Sequence, residues 1–168
     1  EKLSAYRFSG YWKDVGTIDS LWDANMDLLS PSSNINLNDT DWPIYARTTG
    51  APPQFMGATA KVSHALVTGG SDIRGTVENS VLFRSVTVEE GATIRYSILM
   101  PGTVVKAGAT VEYAILAENT VVEEHAKVGA PPNGENWGVA VVASDVTVGR
   151  NAVVPPSAMV TEDVKGGV

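Results

Sequence analysis

Three segments of this chain align without gaps at one constant spacing, and this repeat restricts the possible folds more than any other feature. The segments start at Val77, Ile94 and Val111 and read VENSVLFRSVTVEEGA, IRYSILMPGTVVKAGA and VEYAILAENTVVEEHA. A shorter copy, VSHALVTGGSDIRG, starts at Val62. Aliphatic residues recur at steps of six, six and five in these units, and at steps of six near the C-terminus. They are Leu82, Val88, Ile94, Leu99, Val105, Val111, Leu116, Val122, Val128, Val142, Val148, Val154 and Val160.

A helix does not explain this pattern, because an amphipathic helix needs apolar residues three and four positions apart. The units place Gly, Pro, Glu and β-branched residues there, and the position four residues after an aliphatic is small or β-branched. Steps of six suit short strands joined by tight turns, three of which close one coil of a triangular prism with the aliphatics stacked inside. From Ala58 to Val160, at about 18 residues per coil, the sequence predicts a mainly β solenoid of roughly six coils.

Two regions do not follow the repeat. Residues 129–138, GAPPNGENWG, predict an extruded loop that serves packing or assembly. Near the N-terminus, YRFSGYW alternates in the manner of a strand, and Thr17 can cap a helix that ends at Ser30. The residues with helical spacing are Ile18, Leu21, Trp22, Asn25, Leu28 and Leu29.

The chain is therefore expected to have three parts. Residues 1–30 are the strand and helix of a domain that extends upstream, since one strand and one helix do not form a domain by themselves. Residues 31–57 are a proline-punctuated linker, and residues 58–168 are the solenoid.

Composition excludes several classes of function. Twelve basic and nineteen acidic residues give a net charge of -7, so we expect no nucleic-acid partner. The absence of cysteine excludes disulfides, thiolate catalysis and cysteine metal sites. No apolar run approaches the roughly 18 residues of a membrane span, and the first ten residues lack a signal-peptide centre. We expect a soluble, cytoplasmic protein with no membrane contact.

The stretch GYWKDVGTIDSLWDANMDLL, the segments WPIY and PPQF, and the repeat SVLFRSVTVEEGATIRYSILMPG together resemble the C-terminal part of bacterial glucose-1-phosphate adenylyltransferase, or ADP-glucose pyrophosphorylase. The resemblance extends over nearly the whole chain. It implies a left-handed parallel β-helix of hexapeptide repeats, preceded by a strand-helix remnant of an α/β nucleotidyltransferase domain. The W-x-D-V-G-T turn with its following helix is the specific part, because acyltransferases share the hexapeptide repeats.

The resemblance implies an enzyme of glycogen biosynthesis that joins ATP and glucose 1-phosphate with Mg²⁺, forming ADP-glucose and pyrophosphate. The Gly-rich nucleotide loop of that family does not occur here, so we expect this chain to be the oligomerisation and regulatory part and to be inactive alone. The family also implies a homotetramer that is controlled by a sugar-phosphate effector, often fructose 1,6-bisphosphate. A freestanding hexapeptide acyltransferase and a purely structural assembly module remain the alternatives.

The family motif places the candidate site in the turn after the predicted strand. Asp14 matches the carboxylate that ligates Mg²⁺ between phosphates and acts in catalysis, although a solvated turn aspartate would look the same in sequence. Trp12 is a candidate wall of the substrate pocket or a core residue. Lys13 is a candidate phosphate contact or a solvated lysine. Gly16 allows the chain to turn closely.

Two histidines bear on the acyltransferase alternative, in which a histidine serves as general base. His125 occupies the unit position of Gly91 and Gly108, which predicts a turn site with no catalytic partner, and His64 lies in the first copy of the repeat. Four arginines at repeat turns are candidates to face a phosphate-bearing effector, although they match no effector motif. They are Arg74, Arg84, Arg95 and Arg150.

Overall fold

The computed structural model of the chain describes residues 2–33, 35–37, 39–45, 50–134 and 137–167. Within these ranges the chain forms one α-helix, α1 (Ile18–Asp27), followed by sixteen short β-strands. The strands are β1 (Phe55–Met56), β2 (Lys61–Val67), β3 (Asp72–Ile73), β4 (Thr76–Leu82), β5 (Thr87–Val88), β6 (Thr93–Arg95), β7 (Ile98–Leu99), β8 (Val104–Val105), β9 (Thr110–Glu112), β10 (Ala114–Leu116), β11 (Val121–Val122), β12 (Lys127–Val128), β13 (Ala140–Val142), β14 (Thr147–Val148), β15 (Val153–Val154) and β16 (Met159–Val160).

The strands pair in parallel and form the three walls of a solenoid. The first wall is a six-stranded sheet in the order β1-β3-β5-β8-β11-β14. The second and third walls belong to one ten-stranded sheet, which bends where β2 and β4 run from one wall to the next. The second wall continues with β6, β9, β12 and β15, and the third with β7, β10, β13 and β16. The walls make six coils, which confirms the mainly β solenoid that the repeat predicts.

The core of the solenoid is the column of aliphatic residues identified from the repeat. Twelve of the thirteen predicted inward residues are buried, and Val160 in the last coil is half-buried. The small residues four positions later are buried as well, except for the half-buried Ala158. At roughly 25 cal/mol per Å² of apolar area removed from water, this continuous column is the main stabilising feature of the fold.

The strand register reproduces the spacing of the repeat. Val88 pairs with Val105, and Val105 pairs with Val122, which are equivalent positions of consecutive repeat units. The shorter first copy pairs Val62 with Val77 and so closes its coil with fewer residues. Val122 pairs with Val148, and the longer stretch of chain between these two partners contains the predicted loop.

The corners of the solenoid use the left-handed backbone region, which costs non-glycine residues roughly 1–2 kcal/mol each. At the corner between the second and third walls, His64, Asn79, Tyr96 and Tyr113 have φ between 47° and 50°. His64 contacts Asn79 and Tyr96 stacks on Tyr113, and these two contacts between neighbouring coils offset part of the backbone cost. A second column, between the first and second walls, consists of Gly91, Gly108, His125 and Asn151.

The helix predicted after Thr17 is confirmed, and it has a reciprocal cap. Thr17 Oγ1 accepts a hydrogen bond from the Ser20 N–H at 3.2 Å, and Ser20 Oγ accepts one from the Thr17 N–H at 3.0 Å. The helix ends at Asp27, slightly before the predicted stop at Ser30. The solenoid begins at β1, inside the segment 31–57 predicted as a linker.

The strand predicted from YRFSGYW is not formed. Residues 2–15, here called the N-terminal arm, contain no helix or strand. Their backbone makes no backbone–backbone hydrogen bond with any described residue, and a strand exists only through such bonds. The alternating large side chains stay in solvent, with Leu3 98% and Tyr6 90% exposed. The alternation therefore indicates an extended segment, and no described strand pairs with it.

Within the described ranges, no helix has the length and apolar character needed to cross a membrane.

Candidate functional site

Helix α1 lies on the outer surface of the third wall. Ile98, Ile115 and Val139 form a small outer core that is separate from the interior column. Residues Ile18, Leu21, Trp22 and Met26 of α1, together with Met100, Trp137 and Val141, pack against it. The helix that carries the family motif is thus fixed to the solenoid by its apolar side.

Four aromatic rings hold the helix at the corner. Tyr96 and Tyr113 stack with ring centroids 4.7 Å apart, and Trp22 stacks on Tyr113 at 5.9 Å. The Trp22 indole N–H donates to the Tyr96 carbonyl oxygen at 2.8 Å. Trp137 meets Tyr113 edge-on at 5.2 Å, so the loop that contains it has the packing role predicted for it. Burial raises the pKa of Tyr113 above its ordinary value.

The C-terminal end of the helix region is held by His64. One ring nitrogen of His64 lies 2.8 Å from the Leu29 carbonyl oxygen, and the other lies 2.7 Å from Asn79 Oδ1. This bridge connects the end of α1 to the same corner column that carries the tyrosines. Its two contacts give His64 a structural role.

The segment that carries the predicted site residues, Tyr11 to Asp14, is called the site segment below. Asp27 Oδ2 accepts hydrogen bonds from Tyr11 Oη at 3.0 Å and from Lys13 Nζ at 2.7 Å. Lys13 Nζ also lies 2.9 Å from Asp23 Oδ2. The hydrogen bond with Lys13 holds the pKa of Asp27 below its ordinary value, and the same bond raises the pKa of Lys13.

Trp12 and Asp14 are exposed, in contrast to the half-buried Lys13 between them. The Trp12 side chain is 76% exposed. Asp14 Oδ1 accepts a hydrogen bond from the Gly16 N–H at 2.9 Å, which closes the turn before α1. No hydrogen bond or ion pair with a described residue engages the other oxygen, Oδ2. The structure thus brings Trp12, Lys13 and Asp14 together as chain neighbours and presents two of them to solvent.

The described carboxylates around this turn do not form a complete metal site by themselves. Among the described residues, no group of three or more His, Cys, Asp and Glu side chains could hold a metal ion. Asp14 does fit a Mg²⁺ ion of the kind that keeps several waters and uses one or two carboxylates together with substrate phosphates. Its Oδ2 is exposed and unengaged, as such a ligand requires.

His125 occupies the turn site predicted for it. It is exposed, has φ +60° and continues the corner column of Gly91 and Gly108. A Cβ atom placed on Gly108 would lie 2.5 Å from His125 Nδ1, so the ring covers the preceding coil. The ring has no hydrogen-bond partner among the described side chains that could orient it as a general base.

Three of the four candidate arginines are engaged in ion pairs on the solenoid surface. Arg74 pairs with Asp72 at 2.9 Å and holds the pKa of that carboxyl below its ordinary value. Arg95 bridges Glu78 and Glu112, which flank it in neighbouring coils. The remaining two arginines differ: Arg150 lies 3.2 Å from Glu124, and the exposed Arg84 makes no ion pair within the described part of the chain.

Sequence reasoning missed the partners that hold the site segment. It does not single out Asp27, although Asp23 and Asp27 lie one helical turn apart and share one side of the helix. The aromatic cluster also has a signal, because Tyr96 and Tyr113 occupy equivalent positions of the repeat. What sequence does not give is that Trp22, 74 residues from Tyr96, meets this pair.

Comparisons with known proteins agree with this architecture. The parallel coils define a hexapeptide-repeat β-solenoid, and the description "GlmU-like, C-terminal hexapeptide" matches residues 52–149. The chain belongs to this GlmU-like hexapeptide family. The description "Nucleotidyl transferase" matches residues 1–31, which include the site segment and α1.

Curated relatives match the chain over 94 residues. Two proteins called glucose-1-phosphate adenylyltransferase, from Bacillus thuringiensis (strain Al Hakam) and Bacillus anthracis, are 54% identical over 56% of this chain and 25% of their own length. One from Bacillus mycoides (strain KBAB4) is 53% identical over the same shares. The chain therefore spans about a quarter of the length of the relatives that it matches.

A solved structure shares the fold. It is perosamine N-acetyltransferase from Caulobacter crescentus, a mutant in complex with CoA and GDP-perosamine. The TM-score is 0.53 at 15% sequence identity, covering 64% of this chain and 50% of that one. A likeness at this identity supports the solenoid fold alone.

Proposed function

We propose that this chain supplies the C-terminal solenoid, the helix α1 and one edge of the active site of a glucose-1-phosphate adenylyltransferase. The whole enzyme would act in the cytoplasm, in glycogen biosynthesis. It would join ATP and glucose 1-phosphate, giving ADP-glucose and pyrophosphate. Residues 52–168 would serve assembly and regulation.

The observation that carries this proposal is the union of two family matches on one rigidly packed unit. Residues 1–31 match a nucleotidyl transferase and residues 52–149 match a hexapeptide solenoid. Helix α1 lies in the first match and packs on Ile98 and Ile115 of the second. Relatives 54% identical to this chain carry the name glucose-1-phosphate adenylyltransferase.

Asp14 is the proposed catalytic residue and metal ligand. Bound Mg²⁺ would neutralise the phosphate charge that moves onto the departing pyrophosphate. Asp14 would hold the ion through Oδ2, while its Oδ1 keeps the hydrogen bond with the Gly16 N–H that fixes the turn. Trp12 is the proposed wall of the substrate pocket, since its ring is exposed beside Asp14. Lys13 is the weaker substrate contact, because Asp23 and Asp27 already pair with it.

The acyltransferase alternative has less support. It rests on a fold likeness at 15% identity to an N-acetyltransferase. His64 is held between Leu29 and Asn79, and His125 occupies a turn, so neither is arranged as an activated base. A purely structural module would not need the exposed Trp12 and Asp14 that the site segment presents.

The proposal is tested by a chimera. The C-terminal region of the Bacillus anthracis relative would be replaced by this chain, and ADP-glucose formation would be measured. We expect turnover by the chimera and background rates for this chain alone. Acetyl transfer from acetyl-CoA to amino sugars by the isolated chain would support the acyltransferase instead.

Within the active chimera, Asp14→Asn should reduce kcat by about a hundredfold or more, the scale of losing roughly 3 kcal/mol of electrostatic stabilisation. The Mg²⁺ requirement should rise, and the melting temperature should not change. Asp19→Asn is the matched control, since Asp19 is an exposed aspartate of the first helical turn. Near-normal kcat and Mg²⁺ dependence in the Asp14 variant would remove Asp14 from the mechanism.

Assembly and regulation belong to the same proposal. Val153 on the second wall and Met159 on the third are 64% and 67% exposed in the last coil, and such exposed apolar side chains suit contact between copies in a homotetramer. Arg84 is the candidate for a sugar-phosphate effector, because the other three candidate arginines are paired. Sedimentation of the chain should show self-association. In the chimera, Arg84→Ala should weaken activation by fructose 1,6-bisphosphate.

A further inference from the structure

The site segment is held in place by side chains rather than by its backbone. Within the described ranges, the backbone of residues 11–15 makes no backbone–backbone hydrogen bond. Tyr11 and Lys13 instead donate to the same oxygen of Asp27, at 3.0 Å and 2.7 Å. One carboxylate on α1 therefore fixes two alternate residues of an otherwise unpaired strand-like segment.

This contact determines which way the intervening side chains face. In an extended chain, successive side chains point to opposite sides. Tyr11 and Lys13 turn towards the helix, so Trp12 and Asp14 turn away from it, in agreement with their exposure. Releasing Tyr11 and Lys13 would leave Trp12 without a defined direction and would leave Asp14 held only by its own hydrogen bond from the Gly16 N–H.

The helix that carries Asp27 is itself fixed on its other side. Trp22 and Met26 pack against the outer core of the third wall, and the Trp22 indole N–H donates to the Tyr96 carbonyl oxygen at 2.8 Å. Asp23 and Asp27 lie one helical turn apart on the side that meets the site segment. The helix thus connects the solenoid to the site segment through two carboxylates, of which Asp27 binds both Tyr11 and Lys13 and Asp23 binds Lys13 alone.

We propose that Asp27 is a positioning residue, which fixes the direction of Trp12 and Asp14 relative to the solenoid by binding Tyr11 and Lys13. The proposal rests on the proposed function, since it concerns the same site. It also assigns Lys13 to positioning rather than to phosphate binding. Lys13 lies between two carboxylates, so the local group carries one net negative charge and does not attract a phosphate.

The test uses this chain as it is and needs no activity. Its four tryptophans give four indole N–H signals in a nitrogen–proton correlation spectrum, which single Trp→Phe variants assign. The Trp22 signal reports helix docking, and the Trp12 signal reports the site segment. Asp27→Ala should increase the nanosecond motion of the Trp12 indole, although Asp23 still pairs with Lys13, and leave the Trp22 signal unchanged. Asp19→Asn should alter neither signal.

Variants on the other side of the contact keep the test decisive if Asp27→Ala disturbs the helix. Tyr11→Phe and Lys13→Met leave α1 intact, and together they should reproduce the loosening of Trp12. Asp27→Asn keeps an acceptor oxygen and should restore part of the order. Unchanged Trp12 motion in both Asp27→Ala and the Tyr11→Phe/Lys13→Met pair would overturn the proposal.

In the active chimera, Asp27→Ala should lower kcat by about tenfold or more, because a displaced metal ligand loses alignment with the phosphates. Asp27→Asn should lower it less, and Asp19→Asn should not lower it. Different results would refute the two proposals. An inactive chimera would refute the function while the spectra still test positioning, and an active chimera with normal kcat in Asp27→Ala would refute positioning alone.

Discussion

The solenoid and the N-terminal arm differ in where their side chains find partners. In the solenoid, an inward aliphatic such as Val105 stacks between Val88 and Val122, which are its own equivalents in the neighbouring coils. In the arm, Leu3, Tyr6 and Trp12 are each more than three-quarters exposed and meet nothing comparable. A repeat contains its own partners, whereas the large side chains of the arm have no repeated equivalent among the described residues.

Helix α1 contacts both of these regions. Its apolar side packs on the solenoid through Trp22 and Met26, and its acidic side holds the arm through Asp27. Stability should therefore decrease in steps from the solenoid through the helix to the arm. The predictions below test these steps, from the strongest contact to the weakest.

The largest effect is expected from a change of register in the solenoid. Deleting Val105 shifts each following inward residue by one position and turns outward residues such as Lys106 and Glu123 towards the core. We expect a loss of at least about 5 kcal/mol, enough to remove the cooperative melt of the later coils. Deleting residues 94–110, one complete repeat unit, should preserve the cooperative melt. Equal melting curves for the two deletions would contradict the assigned register.

The same contrast explains what the sequence can predict. The inward column from Leu82 to Val154 is predicted correctly, because the spacing of the repeat identifies each inward residue together with the equivalent residues that it packs against in neighbouring coils. The strand over residues 6–12 is predicted wrongly because alternation shows an extended chain and does not supply its neighbour. The assignment of a site to Asp14 rests on the family motif, and it stays a prediction. The role of Asp27 depends on a contact that no local pattern encodes.

The next step concerns helix docking. Trp22→Ala removes the indole hydrogen bond to the Tyr96 carbonyl and the stacking on Tyr113, which should cost about 3 kcal/mol of local stability. Hydrogen exchange should accelerate in α1 and stay slow in the first wall. Trp42→Ala is the control, because Trp42 is 83% exposed and should change stability by less than about 0.5 kcal/mol. Equal acceleration in helix and wall would show that they unfold together.

Two glycines in the inserted loop differ in how closely they approach a neighbouring coil. Gly129 has φ +71°, and a Cβ atom there would clash with the Glu112 carbonyl oxygen of the neighbouring coil. Gly134 has φ +84° with nothing within 4 Å of such an atom. Gly129→Ala should cost about 2 kcal/mol or more, and Gly134→Ala about 1 kcal/mol from backbone conformation alone. Thermal melts of the two variants measure the difference. A larger loss of stability for Gly134→Ala than for Gly129→Ala would mean that Gly134 is the more constrained position.

The smallest effect is expected where the arm meets the helix, and it depends on pH. Lys13 holds the pKa of Asp27 below its ordinary 3.8. The contact therefore stabilises the site segment at pH values above 3.8, and it is lost as the pH falls through the lowered pKa. The pKa of Lys13 is raised above 10.5, so the contact is present below that value and lost as pH rises through the raised pKa. Between these limits, the ion pair of Lys13 with Asp27 is partly open to water and contributes only about 0.5 kcal/mol, to which the hydrogen bond from Tyr11 adds. The order of the Trp12 indole should be constant from roughly pH 4 to 10 and fall on both sides of this range.

Asp27→Asn should remove the loss of order at acid pH, because the group that titrates there is gone. A loss of order at acid pH that persists in this variant would show that Asp27 is not its cause.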